Sequence, residues 1–112
     1  MAIGELTVKA ITLELARLMG DLAATGTATS GTTGRLDDST VLRFEEANEV
    51  EGSWVAIYEG AAVGDERNIA TYVVGDTRIT PRANFSATID TSSKYIITKN
   101  WRPQQYIDAI AA

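Results

Sequence analysis

Hydrophobic and polar positions change period along this chain, and the changes mark its parts. Between about Glu5 and Leu22, the residues Val8, Ile11, Leu15, Leu18, Met19 and Leu22 recur at helical spacing, with Lys9, Glu14, Arg17 and Asp21 off the stripe. The pattern predicts an amphipathic helix, with Thr7 placed to cap its start and Gly20 and Gly26 bracketing its end. Further on the period shortens to two. Trp54, Ala56 and Tyr58 alternate with Val55 and Ile57, Glu66 to Val74 mixes β-branched, aromatic and polar residues, and TRIT follows at Thr77 to Thr80. Gly60, Gly64 and Asp65 punctuate the first connection, while Gly75-Asp76 reads as a two-residue hairpin loop of the kind that takes positive φ. A three-strand meander is the expectation.

The remaining segments are shorter and less regular. Thr25 to Thr33, TGTATSGTT, has the composition of an edge strand folding back on itself, followed by a turn over Gly34 to Ser39 and a short strand over Thr40 to Phe44. Glu45 to Gly52 reads as an acidic loop or helical turn. Pro81 to Ser93 reads as a loop that returns Phe85 and Ile89 to the core, and Lys94 to Lys99 as the last strand. Pro103 suits the first position of a helix, with Tyr106, Ile107 and Ile110 at helical spacing after it. The expected fold is therefore mainly β, a small barrel or sandwich of about six strands with an N-terminal amphipathic helix and a C-terminal helix start. We divide it into an arm and helix over 1–24, a β domain over 25–100, and a helix start over 101–112 that either docks on the first helix or on a partner, or continues in a longer protein.

Composition narrows the function classes. With 112 residues and 45% hydrophobic content, the chain suffices for one modest core. It has no Cys and no His, which removes disulfides, thiolate chemistry, the commonest general base and the commonest transition-metal ligand. No apolar run approaches the roughly 20 residues that span a bilayer, and the chain reads as soluble without an export signal. Its net charge of −5 is unevenly distributed: residues 35–66 hold most of the acids, and residues 67–112 are net basic. Such a division is compatible with a mixed solvated surface or with head-to-tail attraction between copies. It disfavours a broad nucleic-acid surface, which needs clustered Lys and Arg.

Candidate chemistry is sparse. The carboxylate clusters are Asp37-Asp38, Glu45, Glu46, Glu49 and Glu51, and Asp65-Glu66; none has the spacing of a calcium loop, and adjacent acids on a strand point to opposite faces. Ser93 and Lys94 are neighbours whose side chains diverge within a strand entry, and Gly60 to Gly64 lacks the Gly-Lys-Ser/Thr of a phosphate loop. Trp54, Tyr58, Tyr72 and Tyr95 suit core packing or interface burial better than a sugar-stacking face. These readings predict no enzyme, no cofactor and no metal.

Taken together, TGTATSGTT at Thr25 to Thr33, Asp37, GSWVAIYEG at Gly52 to Gly60, GDERNI at Gly64 to Ile69, ITP at Ile79 to Pro81, and KYIITKNWRP resemble a β module of tailed-bacteriophage virion proteins. Gly52, Trp54, Gly64, Arg67 and Tyr95 match that module, and the Glu-rich stretch Glu45 to Glu51 departs from it. The resemblance implies a non-enzymatic building block of a virion, assembled in the host cytoplasm. A head-to-tail connector (adaptor or neck) component is the first expectation. The alternatives are a capsid decoration protein, a tail-fibre base, or a carbohydrate- or protein-binding module. Its expected partners are copies of itself in a symmetric ring and the portal, tail or capsid proteins, with no membrane and no specific nucleic-acid site. Leu15, Leu18, Leu22, Thr27 and Thr29 are candidate subunit contacts. Arg67 is another, expected also to pair with a carboxylate and fix the meander. The helical stripe is equally suited to packing on the domain's own sheet.

Overall fold

In a computed structural model, residues 20–100 and Gln105 are described. They form a seven-stranded antiparallel sheet: β1 (Leu22–Thr27), β2 (Ser30–Thr32), β3 (Arg35–Asp37), β4 (Trp54–Glu59), β5 (Glu66–Val73), β6 (Arg78–Pro81) and β7 (Lys94–Thr98), in the spatial order β1-β7-β4-β5-β6-β3-β2. The two ends of that order, β1 and β2, are consecutive in sequence and separated by only Ala28 and Thr29. So short a link forces the sheet to curl until its edges approach.

The meander β4-β5-β6 forms as the alternation predicts. In β4, Val55 and Ile57 enter the core while Trp54, Ala56 and Tyr58 face away. Strand β5 belongs to two layers, its first half pairing with β4 and its second half with β6. A register irregularity between Ile69 and Thr71 inserts one residue, so that Ile69 and Tyr72, three apart, both reach the core. This bulge lets one strand serve both walls without turning its apolar side outward.

A buried polar contact joins β7 to the turn that follows β3. Tyr95 on β7 donates its hydroxyl to Asp38 Oδ2 at 2.6 Å, and both residues are wholly buried. Asp38 Oδ1 accepts the Thr40 and Val41 N–H groups at 2.9 and 3.2 Å, so each carboxylate oxygen has a donor. Gly26, beside Tyr95 in register, leaves room for this: a Cβ there would stand 2.9 Å from Asp38 Oδ2 and 3.3 Å from the Tyr95 hydroxyl. The loop after β6 also closes the core as expected. Phe85 and Ile89 are buried, and their N–H groups bond to the Thr33 and Thr32 carbonyls.

Several expected elements differ. Leu22 begins β1 instead of ending a helix, because it pairs with Thr98. The rest of the N-terminal stripe, including Leu15 and Leu18, and the helix start at 101–112 apart from Gln105, lie outside the described residues. Thr25 to Thr33 does not fold back on itself; its halves enter β1 and β2, which pair with β7 and β3 at opposite edges. The turn expected over Gly34 to Ser39 is occupied by β3, since Leu36 fills the core against Ile79. Thr40 to Phe44 is not a strand, because the Asp38 carboxylate and carbonyl draw the N–H groups of residues 40–42 into a turn. The β5–β6 connection spans four residues, and positive φ falls on Thr77 (48°) instead of Gly75.

Two outcomes follow for equilibrium urea unfolding. Tyr95→Phe leaves Asp38 one donor short and lowers stability by about 1–3 kcal/mol, with Gly26→Val at least as damaging because its branches fall where the bond runs. Thr77→Gly removes a β-branched side chain from the left-handed region and raises stability by about 1 kcal/mol. An unchanged midpoint would show that the tertiary contacts of Thr77 offset its backbone strain.

Candidate functional site

The corner where β1 passes into β2 is the most distinctive surface among the described residues. Gly26, Thr27, Ala28, Thr29, Thr40, Val41 and Thr91 line a shallow depression there, with the Asp38–Tyr95 bond beneath it. The local chain path explains why small residues occupy it. Ala28 is buried and donates its N–H to the Ser93 carbonyl at 2.9 Å, in the β1–β7 layer, while the next residue, Thr29, donates to the Asp37 carbonyl at 2.8 Å, in the β3 layer. Bulky side chains would collide where one residue joins each wall.

The predicted contact residues part company in this setting. Thr27 is exposed at the end of β1, and its hydroxyl makes no hydrogen bond among the described residues. Thr29 is also exposed, but its hydroxyl is engaged: it accepts the Ser39 N–H at 3.2 Å and approaches the Asp37 carbonyl at 3.3 Å. Leu22 is half-buried at the opposite end of β1. Arg67 lies away from the corner. Its Nε donates to the Asn84 carbonyl at 3.0 Å and its guanidinium stands 3.7 Å from Asp65, so it pairs with a carboxylate and ties β5 to the loop that follows β6.

Carboxylates are dispersed into structural roles. Asp37 and Asp38 point to opposite sides. Asp37 receives Arg78 Nε and the Ser30 hydroxyl at 3.0 Å each, with Arg35 at 3.4 Å. Asp65 accepts both the N–H and the hydroxyl of Ser86. Glu49 bonds the Glu46 N–H at the start of a short 3₁₀ turn, and Glu51 bonds the Tyr72 N–H. Among the described residues no group of three acids is placed to hold a metal ion, and no helix is long and apolar enough to cross a membrane. Ser93 and Lys94 diverge: the Ser93 hydroxyl accepts the Asp90 N–H, and Lys94 pairs with Glu59 at 3.0 Å, which raises the ammonium pKa. Pairs such as Asp37–Arg78 and Glu59–Lys94 also join the acidic middle of the chain to its basic end within one domain. They take up part of the charge asymmetry that head-to-tail attraction would use.

Aromatic side chains do not share one face. Tyr72 and Tyr95 enter the core, Phe44 meets Tyr72 edge-on at 5.5 Å, and Trp54 and Tyr58 lie half-buried on the other side of β4. Comparison of the chain with family models, with curated proteins and with solved structures yields no match.

Burial, followed by the bond to Asp38, raises the pKa of Tyr95 far above the ordinary tyrosine value of about 10. Because the folded value exceeds the unfolded one, this contribution to stability is complete below about pH 10 and is lost as pH rises from there toward the folded value. In an absorbance titration at alkaline pH, Tyr95 should ionise only together with cooperative unfolding, while Tyr95→Phe should show a weaker alkaline loss of stability. Tyr95 ionising in the folded chain would contradict the bond. Glu59→Gln should leave the urea midpoint nearly unchanged, since both partners are exposed to solvent.

Proposed function

We propose that this chain is a non-enzymatic structural component of a bacteriophage virion, an oligomeric part of the head-to-tail connector whose copies meet through the β1–β2 corner. The observation that carries the reading is the edge strand β1. It is six residues long, LAATGT, and among the described residues its only strand neighbour is β7. An edge with Ala, Thr and Gly side chains lets another backbone approach closely, and it lacks the charges and prolines with which edges are usually blunted. The resemblance of residues 25 to 103 to a virion β module supports the same reading. Thr27 and the adjoining Thr-lined depression supply the contact, while Thr29 holds the corner in shape.

The same edge suits a capsid decoration protein or a fibre base, and a carbohydrate- or protein-binding module would instead remain a monomer. Light scattering across a range of concentration and salt decides between assembly and the binding module. The expected result is a multimer whose mass rises with concentration, and Thr27→Lys, which places a charge on the edge, should weaken assembly by roughly tenfold or more while leaving the circular dichroism unchanged. A monomer at every concentration would overturn the connector reading, and a Thr27→Lys protein that assembles normally would move the contact away from this corner.

A further inference from the structure

The two edges of the sheet are finished differently. Beside β2, the loop after β6 supplies partners: the Thr32 carbonyl accepts the Ile89 N–H at 3.3 Å and the Thr33 carbonyl accepts the Phe85 N–H at 2.7 Å. On its outer side β1 has no strand neighbour among the described residues. Ala28 donates to the Ser93 carbonyl, and counting by twos along the register from there gives Gly26–Tyr95 and Ala24–Ile97 as the pairs that exchange backbone bonds with β7. Thr25 and Thr27 therefore turn their N–H and C=O groups away from β7, and these groups have no partner among the described residues. The N–H of Thr29, next in the same row, is already given to the Asp37 carbonyl.

This short row of donors and acceptors is complementary to itself. If two β1 strands run antiparallel about a two-fold axis at Gly26, Thr25 of each copy stands opposite the partner's Thr27, where two residues exchange both backbone bonds. Gly26 then meets the partner's Gly26 at a non-bonded position, where Cα atoms come within about 4.5 Å. No side chain has to fit there, since Asp38 Oδ2 and Val41 Cγ2, each 2.9 Å from a Cβ position on Gly26, already exclude one. On the outer face the threonines form cross-strand Thr–Thr pairs, a favourable combination. The neighbouring registers are blocked. An axis at Thr25 would set Thr27 against Ala23, where β1 bulges between Leu22 and Ala24, and an axis at Thr27 would need the N–H that Thr29 gives to Asp37.

We propose that the occupant of this edge is the β1 strand of a second copy, paired antiparallel about Gly26. The inference rests on the assembly reading above and specifies its contact. The same patch serves both copies, so they associate as two-fold pairs, and one ladder joins their two sheets. β1 has no charged side chain, so nothing in it selects a partner of opposite charge, whereas its own hydrogen-bond register selects a second β1. Val41, 39% exposed beside Gly26, offers the incoming strand an apolar contact.

The absence of cysteine lets disulfide trapping in the full chain report this register directly. An equimolar mixture of Thr25→Cys and Thr27→Cys chains, mildly oxidised, should give disulfide-linked dimer at several times the yield of either chain alone, with the bond located between positions 25 and 27 by mass spectrometry. A mixture that yields no more than the single variants would overturn the register. A multimer in light scattering that traps no such bond would overturn the β1–β1 contact while leaving assembly standing, and a monomer at every concentration would overturn both. Thr27→Pro gives an independent readout. It removes only an outward N–H, so the domain should keep its bonds to β7 and its circular dichroism, while the dimer dissociation constant rises roughly tenfold or more because the axis repeats the loss. A folded Thr27→Pro chain that pairs as tightly as the original would rule the ladder out.

Discussion

The hydrogen bond between Tyr95 and Asp38 is the constraint on which the rest of the structure turns. It is a buried polar tie between β7 and the turn that follows β3, across a separation of 57 residues. In a low-dielectric interior such a bond is strong when made and expensive when broken. Its demands explain neighbouring choices: Gly26 because no Cβ fits beside it, and a turn at residues 40–42 because the second carboxylate oxygen and the Asp38 carbonyl need donors.

The curl of the sheet turns these local demands into a surface. Because β1 and β2 are joined by two residues yet belong to opposite edges, the corner must be built from small side chains, and hydroxyls satisfy its backbone. Ion pairs that unite the acidic middle with the basic end, such as Asp37–Arg78 and Glu59–Lys94, use part of that charge inside the domain.

Much of the interior was legible before any coordinates. The alternation over Trp54 to Tyr58 and Tyr95 to Thr98 identified β4 and β7, and the isolated Phe85 and Ile89 marked a loop that returns to the core. The pairing of Arg67 with a carboxylate was also expected, though not its bond to Asn84, since sequence separation hides a loop's approach. Less was visible at the corner. Thr27 and Thr29 have the same side chain two residues apart, yet one hydroxyl is bonded within the domain and the other is not, a difference created by the partners that the fold brings to each.

What the sequence by itself determined is the set of strands whose side chains alternate, because that period is a local property of an extended chain with one buried face. What only the tertiary structure decided is which strands pair, where β5 changes layers, and why Asp38 is buried while Asp37 faces two arginines. Each aspartate has a partner more than 40 residues away: Arg78 Nε meets Asp37 across 41 residues and the Tyr95 hydroxyl meets Asp38 across 57. Residue type restricts such partners to donors, and only the closing of the sheet selects them.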